Sequence, residues 1–347
     1  METANITSFP QEILDLLFES LDYQDRLSLA QSNHYIGESF ASFCKRELKD
    51  LELTECKTEN DYLSRVLPIC GSAVMSITAE DGSYPMLQIL ERYCTNVKSV
   101  VLKARSLWPF YFIPNMKSLT SVQLWMRRDE DDFLYPALQE LPHLTNLHLL
   151  DFSEKNVHKV QRLVNLERLS LERGRKECPV DIMQICHFLK KLDYLFIECD
   201  EIFCGTYSQG STCSALEEFE LIVKKVTDLP FFPNLRKVFV LSDKSFNWIK
   251  WITKYTEKLE SLYISNITDN IGLLDMLESC KVLHYLAIFI ESTKLSNEYL
   301  TYLVDVARRK VGSLSLEVKT KEEVDNLKKR LADIPNSAIC KVYKHSV

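Results

Sequence analysis

The sequence predicts an α/β protein: a small module of short helices, then a solenoid of strand–helix repeats with a parallel sheet on its concave side and helices on its convex side. Three observations carry this expectation. Apolar residues recur at i, i+3 and i+5 along the chain at near-regular intervals. The stretches between these triplets often carry helical apolar spacing. The first 36 residues instead hold two short amphipathic helical patterns.

In chain order, Pro10 sits where a first helix begins, because its fixed φ and missing N–H cost nothing in a first turn. Ile13, Leu14, Leu17, Phe18 and Leu21 then recur at helical spacing and predict one apolar stripe. Asp25 is placed to cap a second short helix, whose apolar positions are Leu27, Leu29 and Ala30. Helices this short are marginal alone in water. The pair therefore needs a partner surface, in this chain or on another protein.

The clear triplets begin at Val97, Leu119, Leu144, Leu166, Leu192, Leu216, Leu235, Leu259 and Leu283, with weaker copies at Leu48, Val74 and Val311. Their anchors lie 19 to 28 residues apart, mostly 22 to 26, which is the leucine-rich-repeat period. The last two slots of each triplet alternate, as on a short strand with one buried face. MLQILERYC, VDIMQICHFLK, FNWIKWITKY and IGLLDMLESC read as helices between strands. One strand–helix unit cannot bury its own apolar face, so stacked neighbours must build the core. Leu48 follows the helices almost directly, which divides the chain into a helical module over 1–46 and a repeat domain over 47–347 that includes a C-terminal cap.

A 46% hydrophobic fraction is that of a globular chain. No run of 18 apolar residues indicates a membrane span, and METANITSFP lacks the regions of an export signal. Eleven scattered cysteines then read as reduced thiols, and the expected location is cytoplasmic, nuclear or both. A net charge of −7 argues against a general nucleic-acid binder. Only 8 glycines occur, with no P-loop and no G-x-G-x-x-G. Cys199, Cys204 and Cys213 lie near His187 in sequence, but their spacings fit no common metal site. The expectation is a protein without catalysis, cofactor or metal.

Function in a repeat solenoid belongs on the concave sheet, at the i+2, i+4 and i+6 slots. These slots hold Trp125, then Tyr194, Phe196 and Glu198, then Phe239, Tyr263, Tyr285 and Phe289. Aromatic clusters on a surface mark binding sites, because they bury large areas at low entropy cost. The same slots carry eight acids (Asp50, Glu52, Glu80, Glu172, Glu198, Glu218, Glu220 and Glu317) against Lys103, Arg168 and Lys237. A face of that charge favours a basic or apolar segment of a protein partner.

The N-terminal order Phe9-Pro10, Glu12-Ile13-Leu14, Leu17-Phe18, Leu21, Asp25, Leu27 and Leu29-Ala30 resembles the F-box. Followed by these repeats, it resembles the leucine-rich-repeat class of F-box proteins. The resemblance implies a substrate receptor that docks on a Skp-family adaptor, and through it on a cullin–RING ubiquitin ligase. It implies that Phe9, Pro10, Ile13, Leu14, Leu17 and Leu21 bind the adaptor while the concave face holds the target. The rival expectation is a leucine-rich-repeat interaction scaffold with no ligase role, whose N-terminal helices only cap the repeat core. The family's usual Asn or Cys after the strand is replaced by Arg105, Arg127, Phe152, Gly174 and Asp200. Irregular turns are expected there.

Overall fold

The computed structural model describes residues 6–53, 57–80, 84–104, 111–126, 131–153, 157–173, 179–205, 213–242, 246–265, 270–289, 296–311 and 313–344. The fold is α/β, with parallel strands flanked by helices. The chain forms two compact units, Met1–Leu149 and Leu150–Val347.

The first unit opens with α1 (Gln11–Ser20), α2 (Tyr23–Ser32) and α3 (His34–Glu47). The Pro10 carbonyl accepts from the Ile13 and Leu14 N–H groups, so the proline stands at the helix entrance. Asp22, not Asp25, caps α2, with its side chain accepting from the Asp25 N–H at 2.9 Å. Asp25 lies inside the first turn, where its charge suits the helix dipole. The pair of helices expected from sequence is thus a trio. Asn33 ends α2 and caps α3 by accepting from Tyr35 N–H at 2.8 Å. Ile36, Phe40, Phe43 and Cys44 of α3 bury against Leu14, Phe18 and Leu27. The Phe18 and Phe40 rings meet edge-on at 5.2 Å, a preferred aromatic geometry.

The unit continues through β1 (Asp50–Leu53), α4 (Lys57–Cys70), β2 (Ser76–Glu80), α5 (Tyr84–Tyr93), β3 (Ser99–Ala104), β4 (Ser121–Met126), α6 (Asp131–Gln139) and β5 (Asn146–Leu150). These five strands lie side by side in chain order. Ile77 pairs with Val100 and Val100 with Val122, so the middle triplet positions align across strands. Val66 and Cys70 of α4 complete the core of the helical trio.

In the second unit, β6 (Arg168–Glu172), β8 (Tyr194–Phe203), β9 (Glu218–Val226), β10 (Lys237–Ser242), β11 (Ser261–Ser265), β12 (Tyr285–Phe289), β13 (Ser313–Val318) and β14 (Cys340–Lys344) follow one another in a parallel ladder. The short β7 (Pro179–Asp181) pairs with the far end of β8. Connecting helices are α7 (Ile182–Phe188), α8 (Trp248–Ile252), α9 (Asn270–Ser279), α10 (Asn297–Lys310) and α11 (Lys321–Ala332). Leu169, Leu195, Phe219, Val238, Leu262, Leu286 and Leu314 form one unbroken row across the strands. All seven are buried. Each aliphatic side chain so buried contributes roughly 1.5–3 kcal/mol.

Every triplet residue is buried except Leu48, which is half-buried. At the strand entrances, one carbonyl commonly accepts from two successive N–H groups of the next repeat, as Asp193 does for Glu217 and Glu218. The turns are irregular in a specific way. Asp151 and Arg173, each two residues past the last leucine of a triplet, adopt positive φ of 59° and 53°. Strands β8 and β9 run on well past their triplets, with Cys199 opposite Val223 and Ile202 opposite Val226. Arg105, Arg127 and Gly174 lie outside the described residues.

Candidate functional site

Two surfaces correspond to the expected sites, and the structure redistributes the residues of both. On α1 the five-residue stripe splits by helical phase. Leu14 and Phe18 are fully buried in the trio's core. Leu14 is therefore a core residue and presents nothing to an adaptor, which corrects its place in the expected set. Ile13 is 45% exposed, Pro10 is exposed, and Phe9, Leu17 and Leu21 are half-buried. Leu16, which the sequence reading passed over, is the most exposed leucine of α1 at 61%. It lies 300° from Ile13 at 100° per residue, just beside it on the side away from Phe18. Tyr35 joins this surface, donating its hydroxyl to the Phe9 carbonyl at 3.0 Å. Pro10, Ile13, Leu16 and Tyr35 are thus exposed, with Leu17 half-buried on α1.

Across the second unit the outward slots divide into an open part and a closed part. Tyr194, Phe196, Glu198, Glu220, Ile222 and Phe239 are half-exposed on β8–β10. Beyond them Tyr263 and Phe289 are buried, together with Ala287. They form a compact cluster against Phe239 and Leu241. The Tyr263 hydroxyl donates to Glu317 at 2.7 Å. Tyr263 and Phe289 are therefore fixed floor residues, not accessible contacts, and the expected continuous strip is corrected to a patch on β8–β10. The cause is side-chain size. Ser265, Ala287 and Ser315 are small neighbours on this face, which leaves room for the large rings to pack into one cluster. Tyr285 remains exposed at the rim. Trp125, in the first unit, is half-buried with the Lys103 ammonium 4.3 Å from its ring centre, a cation–π distance.

The register sets Tyr194 opposite Glu218, and Phe196 opposite Glu220, which in turn faces Phe239. Glu218 is paired with Lys237. Arg168 lies over the Tyr194 ring at 4.0 Å. Burial, the neighbouring Glu220 charge and a hydrogen bond to that carboxylate push the Tyr194 phenol up to about 12. Burial also raises the Glu220 carboxyl, and the Glu218 charge adds to the rise; a Tyr194 hydrogen bond and Arg168 oppose it. Among the described residues Glu220 has no ion-pair partner. Glu198 accepts from the Arg173 backbone N–H at 3.3 Å.

The remaining sequence candidates have plain structural places. Cys213 is buried and its thiol donates to the Leu189 and Leu192 carbonyls. The Cys199 thiol donates to the Glu201 carbonyl at 3.3 Å. Among the described residues, no three His, Cys, Asp or Glu side chains converge as a metal-ligand set. No described helix is long and apolar enough to cross a membrane. Compared with known protein families and with curated proteins, the chain matches none.

Proposed function

We propose that this chain is the target-binding subunit of a Skp–cullin–F-box ubiquitin ligase, with the helical trio as its F-box and the parallel repeats as leucine-rich repeats. The observation that carries the reading is the apolar face of α1 and its N-cap, where Pro10, Ile13 and Leu16 are exposed and Leu17 is half-buried while Leu14 and Phe18 hold the trio together. A short helix that keeps one apolar face for its own fold and a second for solvent fits a docking module. The patch on β8–β10 then serves as the target site. The ligase contribution of such a chain is effective concentration: it holds a target beside a ubiquitin-loaded enzyme recruited elsewhere in the complex.

One observation favours a second reading. Val66 and Cys70 of α4 share the trio's core with Leu14, Phe18 and Phe43, so the trio also closes the first end of the repeat core. A pure interaction scaffold needs no more than that. Co-purification with a Skp-family adaptor separates the two. The ligase reading expects adaptor capture by the full chain and its loss when Ile13 and Leu16 are both changed to Ala. Failure of the wild-type chain to capture adaptor, or undiminished capture by the double variant, leaves the scaffold.

A further inference from the structure

On the face of β8–β10, two phenylalanines flank one carboxylate. Phe196, Glu220 and Phe239 are direct register partners on three successive strands. Neighbouring strands are about 4.8 Å apart. Glu220 therefore stands about one strand spacing along the sheet from each phenylalanine, a spacing comparable with the roughly 6 Å over which a ring attracts a cation. The Phe239 ring stacks on Tyr263 at 4.3 Å and 22°, so its β11 side is covered and its other face is turned toward β9, where Glu220 stands.

The cations already on this face are committed elsewhere. Arg168 lies over Tyr194 and near Asp193, and Lys237 is paired with Glu218. Each basic group here thus already has a ring or a carboxylate. Glu220, at the register position between the two phenylalanines, has no ion-pair partner among the described residues; burial and the Glu218 charge work against its ionised form, and a Tyr194 hydrogen bond and the Arg168 charge favour it. Glu198, opposite Ile222 on the next row, accepts from the Arg173 backbone N–H and has no ion-pair partner among the described residues. Around this pair of carboxylates Phe196, Ile222 and Leu241 supply apolar surface that remains half-exposed.

We propose that the Phe196–Glu220–Phe239 row is a receptor for one arginine side chain, carried on an otherwise apolar, extended segment of a protein partner. Arginine fits better than lysine. Its flat guanidinium stacks on rings and forks onto a carboxylate, whereas an ammonium is a compact and strongly hydrated charge. The neighbouring Glu198 attracts further basic residues of the segment, with the modest, salt-screened energy of an exposed charge. The proposal rests on the reading of this face as the target site and does not depend on the adaptor.

The test uses the full chain and a dye-labelled, capped ten-residue peptide that alternates Leu with Arg, read by fluorescence anisotropy. Parallel probes carry Lys or citrulline in place of Arg. Saturable binding of the arginine peptide is expected, with several-fold weaker binding of the lysine form and at least tenfold weaker binding of the neutral citrulline form. Glu220→Gln, which keeps the side chain's shape, and Phe239→Leu, which removes the ring but keeps an apolar group, should each weaken the arginine peptide by about tenfold or more. Thermal unfolding of both variants tests that the fold is retained. No binding of the arginine peptide, equal binding of the citrulline peptide, or unchanged affinity in a folded Glu220→Gln variant overturns the proposal. Lysine bound as tightly as arginine overturns the guanidinium assignment. Adaptor capture, measured on the same variants, reports on the ligase reading separately: peptide binding without adaptor capture removes that reading and leaves the arginine receptor standing.

Discussion

One pleat step decides whether a residue on these strands is core or contact. Leu195 is fully buried and its neighbours Tyr194 and Phe196 are half-exposed. Leu195→Ala, like Leu147→Ala and Leu262→Ala, is expected to cost roughly 2–5 kcal/mol, read from urea unfolding; a loss below 1 kcal/mol would contradict that packing. Glu220 gives a residue-scale prediction in pH. Folding raises its carboxyl above the ordinary 4.5, through burial first and Glu218 second, with Tyr194 and Arg168 acting against the rise. The folded state therefore binds the proton more tightly than the unfolded one. The stability Glu220 contributes is present below pH 4.5 and is lost as pH rises through the elevated folded value. Glu220→Gln removes that loss, so the variant's stability relative to wild type should climb across this window and then level off. A relative stability that falls with rising pH would reverse the assignment of burial as the dominant cause.

Helix α1 shows how far an element is legible from its residues. Apolar spacing places Ile13, Leu14, Leu17 and Phe18 on a helix, but only the position of α3 decides which of them face it. Leu14→Ala is expected to destabilise the trio by about 2–5 kcal/mol, whereas Ile13→Ala with Leu16→Ala should leave thermal unfolding nearly unchanged. Equal destabilisation by the two would show that the exposed face is covered. Helix α3 itself was missed in the sequence although Ile36, Phe40, Phe43 and Cys44 repeat at helical spacing, because Asn33 reads as the end of one helix and serves also as the start of the next. Thr320 and Glu323 form a reciprocal capping box at the start of α11, at 3.1 and 3.0 Å. Thr320→Ala should cost about 1 kcal/mol, measurable as a lowered unfolding midpoint. The triplets were legible because alternation and period agree over many copies. The ends of β8 and β9 were not, because their added pairing continues past the triplet and is fixed by neighbouring strands.

At the scale of the whole chain, the outward slots were legible and their exposure was not. A slot's direction follows from the strand's own alternation, while its burial depends on what stands in the next strand. Tyr263 and Phe289 are buried in one cluster with Ala287, whereas Phe196 and Phe239 remain half-exposed beside the Glu220 register position. This difference chooses the variants that separate the two proposed activities. The α1 face and the β8–β10 patch share no residue and lie in different compact units, so their losses should be independent and additive. The full chain carrying Phe196→Leu and Phe239→Leu should retain adaptor and lose its target. Ile13→Ala with Leu16→Ala should do the reverse, and the four-site variant should lose both while still unfolding cooperatively. Quantitative mass spectrometry of the co-purified proteins reads all three at once. Leucine is the better substitution for the rings, because it preserves apolar volume against Leu241 and isolates the loss of the aromatic face. Simultaneous loss of adaptor and target in either two-site variant, with the fold intact, would mean that the two surfaces act as one and that their assignment to separate partners is wrong.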